Sequence, residues 1–338
     1  MIQLLESKGQ AQLVVMENDL LRVQLTNFGA AIFSVQIKEA DGKLDDIALT
    51  CDSLEEFLEN RNFYGATVGR VVNRIKDGRA VIGGKTYQLT LNDGNNSAHG
   101  GEASYAWRFW DTEICEDCVI FRIFSKDGEA GYPGNLQVEV EYRFDEEGAL
   151  LITHRGTCDQ ETIMNMTNHT YWCLGGMDEK IYNQELFING RYYLEADDEL
   201  IPTGQILSVK DTPFDFTTAH PIGDHIFDDH HAIQHNRGYD VSFVRDGREM
   251  GLAARLTAPS KGRTLEVETT LPDIHIYTGN FLDNHPGKDG RKYTPHDAIC
   301  LEGGLFPDAV NQPHFGKIFL KPGEEYFQQI RFRVTVKA

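Results

Sequence analysis

Four short segments place ionisable or strongly hydrogen-bonding side chains inside otherwise apolar, strand-like runs. Histidine and glutamate suit proton transfer, because imidazole titrates near neutral pH and burial raises the pKa of a carboxyl group towards neutrality. Each segment alone has an ordinary explanation, such as a core histidine, a solvated glutamate or an arginine in an ion pair. Together they indicate a polar cleft in a β protein, and they occupy residues 69–75, 98–101, 168–171 and 300–302.

The elements that must position these segments are mostly strands. Val138, Val140 and Tyr142 alternate with polar residues, and residues 329–336 show the same period of two. This spacing puts the apolar groups on one face of a half-buried strand. Turn-forming residue pairs such as Asp-Gly separate many short strand-like segments. This pattern predicts an all-β sandwich or barrel rather than an α/β fold. No linker or composition shift interrupts it, so one domain over residues 1–338 is expected.

Helical signals are sparse. The sequence SLEEFL at residues 53–58 has the spacing of a capping box followed by apolar residues. We therefore predict one short helix there and very little helix elsewhere.

Two patterns contain potential metal ligands, and neither predicts a metal site. Cys115 and Cys118 form a lone CxxC, whereas structural zinc needs four ligands. The flanking runs indicate a hairpin with these cysteines in its turn. Residues 224–235 hold four histidines among aspartates, but the segment is polar and its spacing matches no metal motif. A solvated loop is the preferred interpretation.

Charge and composition restrict the class of partner. The chain has 32 Lys and Arg residues against 52 Asp and Glu, which gives a net charge of −20. Such a field repels nucleic acid and phosphorylated substrates, so a neutral small molecule is expected. No signal peptide and no apolar run of about 18 residues is recognisable. The six cysteines are typical of reduced thiols in the cytoplasm. A monomer or a homodimer is expected.

Seven ordered blocks resemble the aldose 1-epimerase (galactose mutarotase) family along nearly the whole chain. This resemblance implies a large antiparallel β-supersandwich, which agrees with the predicted strands. The blocks are NFYGATVGRVVNRI (62–75), LNDGNNSAHGG (91–101), MTNHTYWCL (166–174), TPFDF (212–216), GYD (238–240), IYTGNF (276–281) and LEGGLFPDAVNQPHF (301–315).

The resemblance also implies the site residues. His169 corresponds to the general acid of the family and Glu302 to its general base, with His99 as a third catalytic residue. The implied sugar-binding residues are Asn73, Arg74, Asp240 and His275. The implied reaction opens an aldose ring and closes it on the other face, which interconverts the α and β anomers. Because no redox step occurs, neither a cofactor nor a metal is expected.

Several neighbours of the implied site depart from the family pattern. Val241 and Ser242 replace the usual His-Asn, His275 replaces the usual glutamine, and Gly303-Gly304 replaces Thr-Gln or Pro-Gln. The lost side chains lead to the hypothesis that the reaction is kept and the preferred sugar is shifted, for example to a pentose or to maltose.

Two other functions stay open at this level. A non-catalytic sugar sensor on the same scaffold would bind a sugar without accelerating anomer exchange. A glycosidase would use two carboxylates on either side of a glycosidic bond, and Asp240 with Glu302 is the candidate pair.

Overall fold

The computed structural model describes residues 1–39, 42–59, 62–247 and 249–337. Within these ranges the strands form three large antiparallel sheets and five two-stranded ribbons. In spatial order, the nine-stranded sheet contains Asp111–Ile114, Cys118–Ser125, Leu136–Phe144, Leu150–Cys158, Tyr326–Val336, Arg263–Thr269, Gly251–Ala258, Glu185–Ile188 and His220–Pro221. The six-stranded sheet contains Tyr171–Trp172, Ile299–Gly304, Asp273–Tyr277, Asp240–Val244, Tyr192–Ala196 and Pro202–Ser208.

The other sheets are shorter. The five-stranded sheet contains Ile2–Lys8, Ala11–Glu17, Leu21–Thr26, Ala31–Lys38 and Leu44–Asp46. The ribbons pair Arg74–Ile75 with Ser97–Ala98, Arg79–Ile82 with Lys85–Gln88, Ala66–Val68 with Thr167–His169, Thr162–Ile163 with Phe319–Leu320, and His285–Pro286 with Lys292–Tyr293.

The nine-stranded and six-stranded sheets pack against each other around the core. The predicted alternation is visible in Leu136–Phe144, where every second side chain is buried. Trp172 of the six-stranded sheet contacts Phe332 of the nine-stranded sheet, with ring centroids 4.9 Å apart. Buried side chains from both sheets join one continuous apolar cluster. The predicted all-β supersandwich is therefore confirmed.

Two α-helices occur in the described part of the chain. Leu54–Glu59 matches the predicted helix, and the Ser53 hydroxyl accepts the Glu56 N–H at 3.2 Å, as a capping box requires. His231–Asn236 lies in the segment interpreted as a solvated loop, so that interpretation is wrong for its second half. Ile233 explains the difference, because its buried side chain anchors one turn of helix in the core. Neither helix is long and apolar enough to span a membrane.

The hairpin predicted around Cys115 and Cys118 is present. Asp111–Ile114 pairs with Cys118–Ser125, and the Cys115 N–H donates to the Cys118 carbonyl oxygen at 2.9 Å. The two cysteines therefore bracket a tight turn, as the sequence indicated.

Candidate active site

Three neighbouring strands of the six-stranded sheet present the predicted site residues on one face. Glu302 is paired directly with His275, and His275 is paired with Ser242 on the next strand. Residues paired across an antiparallel ladder point to the same side of the sheet. Asp240 lies two residues before Ser242 and therefore points to the same side. The sheet thus aligns these four side chains along one surface.

His169 reaches this surface from a separate short strand. Thr167–His169 pairs with Ala66–Val68, and the chain then enters Tyr171–Trp172, which pairs with the strand of Glu302. This route leaves His169 Nε2 3.5 Å from Glu302 Oε1. The two residues are only 5% and 4% exposed. The predicted acid and base therefore form a close, buried pair.

A two-stranded ribbon brings Asn73, Arg74 and His99 into the same cleft. The Asn73 N–H donates to His99 Nδ1 at 3.4 Å, and the His99 N–H donates to the Asn73 carbonyl oxygen at 3.0 Å. The rings of His99 and His169 are 5.8 Å apart. Arg74 Nε donates to Asp93 Oδ2 at 2.7 Å, which holds its guanidinium group in place. All seven predicted site residues thus belong to one connected cluster.

Aromatic side chains complete the cleft, and the sequence analysis did not identify them. Phe63 lies 4.9 Å from the ring of His99, 5.7 Å from that of His169 and 4.5 Å from that of Trp107, measured between centroids. Such rings offer a rigid apolar surface to the C–H face of a sugar. Phe63 was missed because an aromatic residue in an apolar run looks like any core residue.

A series of hydrogen bonds links four side chains beside the acid–base pair. His275 Nε2 lies 2.9 Å from Asp240 Oδ1, and His275 Nδ1 lies 2.9 Å from Ser242 Oγ. The Ser242 hydroxyl in turn donates to Asp273 Oδ2 at 3.1 Å. Both ring nitrogens of His275 are therefore engaged, and a sugar hydroxyl would have to replace one of these bonds to contact the ring.

Asp273 is a second residue that the sequence analysis missed. It follows a proline at the start of a strand, where an aspartate ordinarily indicates a turn. In the structure it is 2% exposed, and among the described residues its Oδ1 atom has no hydrogen-bond partner. Burial raises the pKa of Asp273 well above its usual value, which favours the neutral acid.

Replacing Asp273 with Asn is expected to make stability less dependent on pH. An unfolded aspartate ionises near pH 4, whereas the buried group resists ionisation, so the native protein loses stability as the pH rises towards the folded-state pKa. Each pH unit between the unfolded-state and folded-state pKa values of Asp273 corresponds to about 1.4 kcal/mol of unfolding free energy. The melting temperature should fall less between pH 5 and pH 8 for Asp273→Asn than for the wild-type protein. The exposed control Asp283→Asn should decline like wild type, and equal declines in all three proteins would contradict the assignment.

Burial shifts the pKa values of the acid–base pair in opposite directions. Burial raises the pKa of Glu302 well above the carboxyl range, and the negative charge of Asp240 raises it further. Burial lowers the pKa of His169 to about 4. These shifts favour a protonated Glu302 beside a neutral His169. Partial burial also lowers the pKa of His99 well below its usual value, so this ring is neutral.

His169, Cys300 and Glu302 form the only group of three potential metal ligands found in the described ranges, with ligand atoms within 4.8 Å of one another. Cys300 Sγ lies 3.4 Å from His169 Nδ1, whereas Glu302 lies on the side of Nε2. The thiol and the carboxyl group therefore contact different nitrogens of the ring. Burial also raises the pKa of Cys300 well above its usual value, which disfavours a thiolate ligand.

The histidines of the 224–235 segment do not converge on a shared centre. His225 Nδ1 lies 2.8 Å from Asp228 Oδ2, and His231 Nε2 lies 2.6 Å from Asp198 Oδ1. His235 Nε2 lies 2.9 Å from the Asp198 carbonyl oxygen. These separate pairs stabilise the short helix and its neighbouring loop.

The two glycines after Glu302 differ in what they leave open. A Cβ atom at Gly303 would lie 2.9 Å from Thr269 Oγ1, against the nine-stranded sheet. A Cβ atom at Gly304 would have its nearest neighbour, Asn165 Oδ1, at 3.7 Å, which is an ordinary contact. The expectation that both glycines open space beside the site is therefore wrong for Gly303, which faces the core.

The chain is similar in sequence to the aldose 1-epimerase family over nearly its full length. The family model described as aldose 1-epimerase matches residues 12–333. The chain is 40% identical over 331 residues to galactose mutarotase from Bos taurus, which covers 97% of this chain and 95% of that protein. It is 34% identical over 321 residues to aldose 1-epimerase from Escherichia coli (strain K12), which covers 93% and 92% respectively.

Solved structures with names of this family have a fold similar to that of the chain. The GalM/aldose epimerase homologue from C. elegans superposes with a TM-score of 0.88 at 30% identity, covering 97% of this chain and all of that one. Galactose 1-epimerase from Lactobacillus acidophilus NCFM gives a TM-score of 0.87 at 29% identity, with 99% and 98% covered. These matches confirm the resemblance carried by the seven sequence blocks. The chain therefore belongs to the aldose 1-epimerase family and is an isomerase of the mutarotase type.

Proposed function

We propose that this protein interconverts the α and β anomers of a neutral aldose, with Glu302 and His169 transferring the protons. The observation that carries the assignment is the buried pair, in which the Glu302 carboxyl group and the His169 imidazole lie 3.5 Å apart. The proposed mechanism gives this pair one proton at neutral pH, because burial raises the pKa of Glu302 and lowers that of His169. Ring opening needs one proton accepted and one donated. The net charge of −20 and the cluster of carboxylates near the cleft favour an uncharged sugar. Galactose, the sugar in the names of several relatives, is the first substrate to test.

The steps of the reaction follow from the single proton assigned to this pair. Transfer of the shared proton from Glu302 to His169 produces a carboxylate base and an imidazolium acid. Glu302 then takes the proton of the anomeric hydroxyl while His169 gives its proton to the ring oxygen, and the C1–O5 bond breaks to the open aldehyde. Rotation about C1–C2 and the reverse transfers close the ring on the other face. Each positioned acid or base contributes about 10²–10⁴-fold to the rate.

The remaining residues orient the sugar and stabilise charge. Since His99 Nδ1 accepts the Asn73 N–H, the neutral ring carries its proton on Nε2 and can donate it to a sugar oxygen. Arg74 is held through Nε by Asp93, so its terminal nitrogens remain as donors. Asp240, oriented by His275, accepts hydrogen bonds from hydroxyl groups away from the anomeric carbon.

Polarimetry on freshly dissolved α-galactose, α-glucose, α-xylose and β-arabinose tests the proposed function. Acceleration of anomer equilibration above the uncatalysed rate is the expected result for at least one of these sugars. Binding detected by calorimetry without any acceleration would instead indicate a sugar sensor. Cleavage of a glycoside would indicate the glycosidase alternative.

The pH profile of kcat/KM reports the pKa values of the acid–base pair in the free enzyme. Below the pKa of His169, about 4, the pair gains a second proton and has no base, so activity falls on the acid side near pH 4. At alkaline pH the pair loses its only proton, and the raised pKa of Glu302 places this limb above the ordinary carboxyl range. Polarimetry corrected for the uncatalysed rate measures both limbs. An acid limb at the usual histidine value, near pH 6.5, would contradict the shared-proton assignment.

We also propose that the whole chain, residues 1–338, acts as one domain in the cytoplasm. The match of the family model to residues 12–333 supports the single domain. The six cysteines are all free thiols, which suits a reducing compartment.

A further inference from the structure

A small polar pocket lies beside the acid–base pair, one step further along the same strands. Thr167 precedes His169 by two residues, and Gly304 follows Glu302 by two residues. Because side chains alternate between the two faces of a strand, residues two apart point to the same side. Thr167, Gly304 and Glu302 all line the pocket, whose volume is about 10 Å³. This is roughly the space that one water molecule needs.

Asp273 forms another wall of this pocket. It is paired directly with Gly304 across the sheet, while the next pair on the same face joins His275 to Glu302. Asp273 and Glu302 are therefore diagonal neighbours on one face, a relation that separates residues by roughly 7–8 Å. Since Gly304 has no side chain, its position leaves room between the two carboxyl groups for a small bridging molecule.

Two buried polar atoms in the lining lack a hydrogen-bond partner. Thr167 Oγ1 and Asp273 Oδ1 form no hydrogen bond within the part of the chain that the structure describes. Thr167 is 0% exposed and Asp273 is 2% exposed. Burying an unpaired oxygen is costly, so such atoms are ordinarily bonded to protein or to ordered water. A buried water needs about two to four polar partners, and Thr167, Asp273 and Glu302 supply them from three sides.

The surroundings of the pocket favour a neutral occupant over a cation. Burial raises the pKa of both Asp273 and Glu302, which disfavours the charged carboxylates that a cation would require. Asp273 Oδ2 already accepts the Ser242 hydroxyl, and Ser242 also contacts His275. A water between Asp273 and Glu302 would extend this series of hydrogen bonds to the base.

We propose that this pocket binds one water molecule, which bridges Thr167 and Asp273 to Glu302 and makes both of them positioning residues for the base. The water keeps the Glu302 carboxyl group directed at the anomeric hydroxyl, and it transfers no proton itself. The inference rests on the proposed function and deepens it, because it names what orients the base. A catalytic group misplaced by about 1 Å can cost about 10²-fold in rate, so loss of the water should lower kcat more than it changes KM.

Two substitutions of Thr167 distinguish a bound water from simple packing. Thr167→Val keeps the shape of the side chain and removes its hydroxyl, whereas Thr167→Ser keeps the hydroxyl and removes a methyl group. We expect Thr167→Val to lose about tenfold or more in kcat, with a much smaller loss for Thr167→Ser. A packing role predicts the reverse order, so a kcat of Thr167→Val equal to or above that of Thr167→Ser overturns the proposal. Exposed Thr86→Val is the control and should match wild type.

A crystal structure of the wild-type protein tests the site without any sugar. Density for one water is expected within hydrogen-bond distance of Thr167 Oγ1, Asp273 Oδ1 and a carboxyl oxygen of Glu302. Gly304→Ala should remove this density and lower kcat, because a Cβ atom there meets its nearest neighbour only at 3.7 Å and takes the space of the water.

The two proposals fail in different ways. A wild-type pocket without such density, in a structure that shows ordered water elsewhere, overturns the water site even if the enzyme is active. Failure of the wild-type protein to accelerate any aldose in polarimetry overturns the proposed function itself. Polarimetry of the Thr167 variants uses the sugar that the wild-type protein accelerates most, and melting temperatures confirm that each variant is folded.

Discussion

Glu302→Gln is expected to reduce kcat by about 10²–10⁴-fold, because an amide cannot take up the anomeric hydroxyl proton. The side chain keeps its shape and its position opposite His275 in the sheet. Burial raises the pKa of Glu302 and so disfavours its charged form, and a neutral amide at this position should leave the melting temperature unchanged or higher. The loss is therefore a chemical effect and not an effect of unfolding.

A control and a binding measurement complete this test. Exposed Glu102→Gln removes a carboxyl group at the surface and should keep wild-type turnover. Calorimetry should still detect sugar binding by Glu302→Gln, since Asn73, Arg74 and Asp240 are intact. A kcat within threefold of wild type for a folded Glu302→Gln protein would exclude Glu302 as the base.

The two residues of the proton-transfer pair are identifiable in the sequence because each places an ionisable group inside an apolar strand-like run. The strands that carry His169 and Glu302 are buried along their whole length, so they show no alternation of apolar and polar residues. Their proximity is a consequence of pairing between Tyr171–Trp172 and Ile299–Gly304, which are separated by more than a hundred residues. The sequence blocks do not specify how the strands pair. The distance of 3.5 Å between His169 Nε2 and Glu302 Oε1 therefore could not be predicted from them.

Asp273 shows what local sequence cannot reveal. Its position after a proline is typical of a turn, and its hydrogen-bond partner Ser242 lies 31 residues earlier in the chain. Only the sheet register brings the two together and removes the carboxyl group from water.

The role of His275 illustrates a partial prediction. Its place in the site followed from the resemblance, which assigns the position to a sugar-binding glutamine. In the structure both ring nitrogens already face side-chain partners, Asp240 and Ser242. Hydrogen bonding to the second nitrogen of a histidine orients the ring and sets its tautomer. The contribution of His275 in this protein therefore includes orientation of Asp240.

His169→Asn is expected to lower kcat by about 10²–10⁴-fold and to remove the acid limb of the pH profile near pH 4. Asparagine can form hydrogen bonds but cannot exchange a proton with the ring oxygen. Exposed His314→Asn provides the matched control and should retain both the rate and the limb. A folded His169→Asn protein that keeps wild-type turnover would remove this residue from the mechanism.

The double variant Glu302→Gln/His169→Asn distinguishes a shared proton from two independent effects. If the pair acts as one unit, removing either member already abolishes the transfer, so the double variant should be less than tenfold slower than the slower single variant. Independent contributions would multiply, and the double variant would lose about 10⁴-fold or more relative to wild type. The single buried proton held across the 3.5 Å contact predicts the first outcome. Fully multiplicative losses, measured by polarimetry with folded protein, would show that the two side chains transfer separate protons without coupling.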